Sequence, residues 1–226
     1  MTAGNSSPLT DGASTVLLAS EEWAKAHNLP VLAWFGPSAT AAVDFVHGDE
    51  GLLMAPAYAV PRLLGRAGLT LADFDYYEIH EAFASQVLAT LAAWESPEFC
   101  KERLGLDAPL GPVDPAKLNV NGSSLAAGHP FAATGGRIVA TLAKLLAERG
   151  SGRGLISICA AGGRAWWPSS NAEPLARRRG PAMDQPDPPA QSRKRERSSS
   201  GDRSGSSATA RAAYRPRWLS SASRLC

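Results

Sequence analysis

The sequence is short of cysteine and has no long apolar run. Three cysteines stand in 226 residues, Cys100, Cys159 and Cys226. Their spacing fits no metal-ligand pattern and their odd count closes no full disulfide framework, so free thiols in a reducing compartment are expected. Gly, Pro or a charge interrupts every apolar stretch well before the roughly 20 residues that a membrane-crossing helix requires. The opening Met1-Thr2-Ala3-Gly4-Asn5 has neither a basic leader nor an apolar block, which predicts no signal peptide. These absences point to a cytoplasmic location, no membrane span and no bound metal. From Ala165 onward Ile, Val and Leu are almost missing. Such a segment cannot bury enough apolar surface to offset the entropy of ordering, so residues 164–226 are expected to be a disordered Arg/Ser/Pro-rich tail.

What is there divides in two. The composition, 44% hydrophobic and 19% charged, supports one sizeable core plus something unfolded. The net charge of +2 hides a split: residues 164–226 carry 13 Lys and Arg against 5 Asp and Glu, leaving 10 against 16 before them. Ahead of Arg164, short apolar runs alternate with helical patterns. Val16–Ser20, Val31–Phe35, Asp75–Ile79 and Leu155–Cys159 read as strands. Ser20 should cap a short helix, Tyr58–Ala67 reads as a helix with Pro61 in an early turn and Gly68 as its stop, and two more follow at Ala82–Trp94 and Thr134–Glu148. In the first of these two, Phe83, Val87, Leu88 and Leu91 mark one face. Alternation of this kind predicts a layered α/β domain, a mixed sheet flanked by helices.

Three short segments carry chemistry. His80-Glu81-Ala82-Phe83-Ala84 sits where a strand gives way to a helix. Asn119-Val120-Asn121-Gly122-Ser123-Ser124-Leu125-Ala126-Ala127-Gly128-His129-Pro130-Phe131 sets one histidine in a Gly/Ser-rich loop that opens a helix, and Cys159-Ala160-Ala161-Gly162-Gly163 ends a strand in a glycine turn. Strand ends with permissive loops are where layered α/β domains place active sites. Histidine titrates near neutrality and a thiol can pass a proton to carbon, so the set suits proton transfer around a thioester. Cys100, Trp34 and Phe35 read as structural.

The order H-E-A-F, G-H-P-F-A-A-T-G, C-A-A-G-G resembles the thiolase family, in particular the branch of 3-oxoacyl-CoA thiolases used in fatty-acid β-oxidation. The likeness runs from about Thr2 to Gly163, with residues 1–28 as a remnant of the family's N-terminal half and 29–163 as its C-terminal domain. At Asn121 and Ser123 the loop departs from the branch, which has an aliphatic residue and a glycine. The resemblance implies an acyltransferase that cleaves 3-oxoacyl-CoA with coenzyme A, needs no cofactor beyond coenzyme A as substrate, and forms homo-oligomers. It implies that His129 takes the proton of a nucleophilic cysteine, that His80 holds a water completing an oxyanion hole, and that Cys159 serves as acid and base at the α-carbon. Backbone N–H groups around Ala161 and Gly162 would form a second oxyanion hole. Glu81 and Gly128 would support the histidines, although a glutamate in a first helical turn also simply favours the helix dipole.

The nucleophilic cysteine of the family lies in its N-terminal half, and no cysteine precedes Cys100. The resemblance therefore implies proton-transfer residues without an acyl acceptor and negligible turnover by this chain alone. After Gly163 the family continues with an apolar strand, where this chain reads Arg164-Ala165-Trp166-Trp167-Pro168-Ser169-Ser170-Asn171. A family-like Gln-Gly-Val-Val-Ala-Ile-Leu-Glu written CAG GGC GTG GTG GCC ATC CTC GAA C becomes those eight residues when its first A is dropped. A shifted reading frame at Arg164, with loss of a core strand, is the resulting expectation. Two alternatives stand beside catalysis: a non-catalytic subunit that binds CoA or acyl-CoA, and, less favoured, a nucleic-acid tether at Arg193–Arg197, which lacks interleaved aromatics.

Overall fold

The computed structural model describes residues 1–172 and 224–225. Six strands form one mixed sheet in the order β1-β6-β2-β5-β4-β3. They are β1 (Leu18–Ala19), β2 (Ala33–Ala42), β3 (Tyr76–Ile79), β4 (Gly152–Ala160), β5 (Arg164–Ala172) and β6 (Arg224–Leu225). β3 and β4 run parallel, with Ile79 opposite Ser157, and the other pairs are antiparallel. The layered α/β expectation is met.

Local chemistry accounts for the helix ends. Ser20 Oγ accepts from Trp23 N at 3.2 Å and starts α1 (Glu21–Ala26), as its N-cap position requires. Helix α2 (Ala55–Ala67) stops at Gly68 in the left-handed region, φ 63°, which glycine occupies without strain. It starts three residues earlier than its pattern suggests, on Ala55-Pro56, so Pro61 falls in its interior and not in an early turn. Pro61 has no N–H to offer the Ala57 carbonyl; Trp94 Nε1 donates to that oxygen instead, at 3.3 Å. In α3 (Ala84–Glu95), Val87 and Trp94 are buried but Leu88 is 64% exposed, so Leu88 lies off the face assigned to it. Two short helices went unread: α4 (Pro97–Glu102), capped by Ser96, and α5 (Ser124–Ala127) inside the histidine loop. The long helix α6 (Phe131–Arg149) ends at Gly150, φ 82°.

Strand alternation assigns the two faces of the sheet to different partners. Tyr77, Ile79 and Leu155 pack with Val60, Leu63, Phe74 and Trp94, on the side of α2 and α3. Tyr76, Ile156 and Ile158 pack with Ile138, Leu142 and Leu146 of α6. α6 approaches β4 so closely that a Cβ at Gly154 would stand 2.6 Å from Leu142 Cδ1.

Two expectations need correction at the far side of β4. Val16–Ser20 contributes only the two-residue β1. The pattern expected to end at Gly163 continues, because Arg164–Ala172 form β5, paired to β2 on one side and β4 on the other. The slot for a core strand is therefore filled, and no edge is exposed by its loss. The reason is geometric: positive φ at Gly162 and Gly163, 90° and 67°, turns the chain back beside β4, and ladder bonds are made by backbone whatever the side chains. The rest of the expected tail, residues 173–223 and Cys226, lies outside the described residues. Among the described residues no helix is long and apolar enough to cross a membrane.

Candidate active site

The two histidines come together. Their ring centroids are 4.4 Å apart, although the residues are far apart in sequence. His80 follows the last residue of β3, and its N–H donates to Ser157 O of β4 at 2.7 Å. His129 sits between α5 and α6, and its N–H donates to Pro8 O at 2.9 Å. Phe131 also neighbours its ring, at 4.6 Å between centroids.

Asn119 binds the histidine loop to β3. Its Oδ1 accepts from Ile79 N at 2.9 Å, and its Nδ2 donates to Ile79 O at 2.9 Å and to Glu81 Oε1 at 2.8 Å. Glu81 Oε2 accepts from Leu125 N at 3.1 Å. Glu81 thus ties the start of α5 to the end of β3, and since α3 begins only at Ala84, orientation of this shell describes it better than a helix-dipole role. The N-terminal segment closes over the same loop. A Cβ at Gly128 (φ 86°) would meet Thr10 Cγ2 at 2.4 Å, one at Gly136 would meet Ser14 Oγ at 2.3 Å, and one at Gly12 would meet Pro130 Cγ at 2.6 Å. A cleft of about 460 Å³ lies between Asp11–Thr15 and Gly128, Pro130, Ala133 and Arg137.

Each ring meets one hydroxyl through Nδ1. His129 Nδ1 lies 2.6 Å from Thr134 Oγ1, and that hydroxyl donates to Pro130 O at 3.1 Å. A threonine has one hydrogen to give. Spent on Pro130, it leaves Thr134 Oγ1 to accept from His129 Nδ1–H, so the lone pair of His129 is on Nε2. His80 Nδ1 lies 3.0 Å from Ser124 Oγ. Burial, with a smaller contribution from Arg137, holds His129 below its usual value. Burial, then His129 and Arg137, lowers His80 to about 4. Both shifts favour the neutral rings at pH 7.

Cys159 stands at the C-terminal end of β4, beside the end of β3. Its thiol donates to Gln86 Oε1 at 3.6 Å, and Gln86 Nε2 in turn donates to Thr90 Oγ1 at 2.9 Å and Leu53 O at 3.3 Å. Burial pushes the thiol up to about 11, so it is protonated at pH 7. The structure therefore joins His80 to His129 directly, while Cys159 is held by α3 at the adjoining strand end. Ala161 and Gly162 are exposed in the β4–β5 turn, and Gly163 is packed so tightly that a Cβ would stand 2.5 Å from Val43 O. Cys100 is buried, its thiol against the Ala93 and Trp94 carbonyls at 3.5 and 3.4 Å, a structural position.

Five functional neighbours were not singled out from sequence: Gln86, Asn119, Ser124, Thr134 and Arg137. Asn119 carried a signal, since an asparagine opening a Gly-rich loop is a residue suited to positive φ, and it has φ 47°. Arg137 carried another, as a cation in the small and apolar first turns of α6. The other three are polar residues on helices and had none.

Residues 30–167 match the family described as thiolase, C-terminal domain. A 3-ketoacyl-CoA thiolase of Pseudoalteromonas atlantica is 49% identical over 165 residues, 73% of this chain and 37% of that protein. The dimeric peroxisomal thiolase of Saccharomyces cerevisiae superposes with a TM-score of 0.60 at 35% identity, over 76% of this chain and 38% of the other. Human mitochondrial 3-ketoacyl-CoA thiolase in complex with CoA gives a TM-score of 0.58 at 31% identity, over the same 76% and 38%. The chain spans little more than a third of the length of the curated relatives it matches.

Proposed function

Because the chain belongs to the thiolase family and carries its C-terminal domain, we propose that it supplies the proton-transfer half of a 3-oxoacyl-CoA thiolase acting in fatty-acid β-oxidation. The supporting observation is the histidine pair at 4.4 Å, one ring anchored as a base and both neutral. In thiolytic cleavage His129 Nε2 takes the proton of a cysteine thiol supplied from outside these 226 residues, and the thiolate adds to the 3-oxo carbon. His80 stabilises the oxygen that gains charge. The bond between the α- and β-carbons then breaks, its electron pair going to the α-carbon. The Cys159 thiol protonates that carbon, and acetyl-CoA leaves. The Cys159 thiolate next takes the proton of an incoming CoA thiol, whose sulfur attacks the acylated cysteine and releases the shortened acyl-CoA, and the expelled cysteine thiolate takes back the proton held by His129. A thiol whose pKa is pushed to about 11 suits both steps: it is protonated while waiting, and basic once ionised. The backbone N–H groups of Ala161 and Gly162 are proposed to hold the thioester oxygen of the leaving unit.

Coenzyme A and 3-oxoacyl-CoA are the proposed ligands, a homo-oligomer the proposed assembly and the cytoplasm the proposed compartment. On this reading the chain alone turns over no substrate, since none of its residues stands as the nucleophile. The test mixes the purified chain with a separately produced, cysteine-bearing N-terminal half of a related thiolase, and follows loss of 3-oxoacyl-CoA on adding CoA. Thiolysis should need both halves and should be lost with His129→Ala or Cys159→Ala in this one. Turnover by the chain alone overturns the reading. Tight CoA binding with no turnover in the mixture would favour a non-catalytic binding subunit.

A further inference from the structure

We propose that Arg137 is a positioning residue for His80: acting through Ser124, it holds the imidazole in the tautomer with hydrogen on Nε2, which makes His80 a standing neutral donor to the acyl oxygen. The inference rests on the thiolase reading only for what that donor faces, since the tautomer is a property of the unliganded chain.

The argument counts hydrogens. Arg137 Nη2 lies 3.2 Å from Ser124 Oγ and 3.2 Å from Ser123 Oγ. A guanidinium can only donate, so Ser124 Oγ accepts from Arg137. The single hydroxyl hydrogen of Ser124 is then turned away from the cation, and His80 Nδ1, 3.0 Å away, is the acceptor within reach. A ring nitrogen that accepts carries no hydrogen, and the neutral ring must carry it on Nε2. The second lone pair of Ser124 could accept from His80 Nδ1–H only by leaving the buried hydroxyl hydrogen without an acceptor; an uncharged partner at position 137 able to take that hydrogen would free the tautomer to reverse. The cation therefore sets the direction of a two-bond relay whose end it does not touch.

The surroundings support a positioning role over simple packing. Ser124 is wholly buried and His80 is 2% exposed, so water does not compete for these bonds. The Arg137 positive charge lowers the pKa of His80 and of His129, which suits rings that are neutral before substrate arrives. His129, anchored by Thr134, carries its hydrogen on Nδ1. The two touching rings are thus held in opposite tautomers, one presenting a lone pair and the other a hydrogen. Ser123, where the branch has glycine, gives the guanidinium a second acceptor and fixes its end.

The experiment measures the tautomer with the full chain and no substrate. The chain has four histidines, His27, His47, His80 and His129. Labelled with ¹⁵N-histidine and assigned with His27→Gln and His47→Gln, it should show His80 Nδ1 as an unprotonated nitrogen and Nε2 as a protonated one. Ser124→Ala and Arg137→Gln should each lower the ratio of Nε2–H to Nδ1–H by about fivefold, the size of one hydrogen bond. Arg137→Lys, still an obligate donor, should keep the wild-type ratio. Merely structural packing would not separate Lys from Gln in this way. A hydrogen on His80 Nδ1 in the wild type overturns the proposal, as does an unchanged ratio in Ser124→Ala, which reads the relay even if Arg137→Gln fails to fold. Failure of the thiolase reading would show separately, as absent thiolysis in the mixed-halves assay with the tautomer intact.

Discussion

The two faces of the sheet are built from the same strands and are chemically unlike. On the side of α2 and α3, β3 and β4 present Tyr77, Ile79 and Leu155 to Phe74, Leu63 and Trp94, a dry cluster rich in large side chains. On the side of α6 a second apolar cluster forms around Ile156 and Leu142, but at the strand end the alternate positions carry Glu78 and His80, and the neighbouring elements add Ser123, Ser124, Thr134 and Arg137, nearly all of them buried. One residue of displacement along a strand separates the two environments. The polar patch at the strand end gains little from burial and depends on internal hydrogen bonds, which the Glu78 carboxyl and Arg137 Nε lack. The apolar face gains in proportion to the area it covers. A polar site of this kind can exist in a protein interior because its other side is anchored by the first cluster.

The largest effect should come from Trp94, fully buried in the dry cluster. Trp94→Ala is expected to cost about 4 kcal/mol, as large aromatic deletions from cores do, measured by chemical denaturation. The ¹⁵N resonances of His80 and His129 should stay in place while the chain is folded, and movement would mean that the two faces are coupled. Next, Asn119→Ala removes three hydrogen bonds, of which the two to β3 are buried. It should cost about 2–3 kcal/mol and, unlike Trp94→Ala, shift both histidines.

The smallest effect depends on pH. Burial raises Glu78 to about 7, with Arg137 opposing it and Glu81 adding to it. Between pH 4.5 and 7 the folded state then holds a proton that the unfolded chain has lost, so this group's contribution to stability falls as pH rises. His80, lowered to about 4, has the opposite sign. Its unfolded state holds the extra proton between pH 4 and 6.5, and stability rises with pH through that window. The two slopes nearly cancel from pH 4.5 to 6.5. Glu78→Gln should expose the histidine slope, its stability relative to wild type growing by roughly 1 kcal/mol per pH unit from 4.5 to 7. A pH-independent difference would show that Glu78 does not titrate in that range.

The legible parts of this molecule are those where a residue's role is local. Ser20 as a cap, Gly68 as a stop, and the strand at Asp75–Ile79 follow from short-range geometry. The three ordered motifs were legible for a different reason, as a likeness to a family whose C-terminal domain residues 30–167 match. The partners of those motifs were not. Thr134, Ser124, Arg137 and Gln86 act through contacts that exist only once α3, α5 and α6 pack on the sheet. Composition misled at Arg164–Ala172, where backbone pairing with two neighbours outweighs side-chain pattern. A shifted frame there remains checkable in the gene: the neighbouring frame after the Gly163 codon should encode an apolar strand and then an early stop, and its absence would dismiss the idea.

The meeting of residues 8–14 with the histidine loop has a consequence for redesign. Gly12, Gly128 and Gly136 are in contact distance of Pro130, Thr10 and Ser14 with no room for one more carbon. A side chain grown at Gly12 would press on Pro130, which flanks His129, one at Gly128 would press on Thr10, and one at Gly136 would press on Ser14. Tuning the base by gentle steps must start elsewhere, at Thr134, which grips the ring, or at Phe131, which covers it and is 74% exposed to solvent.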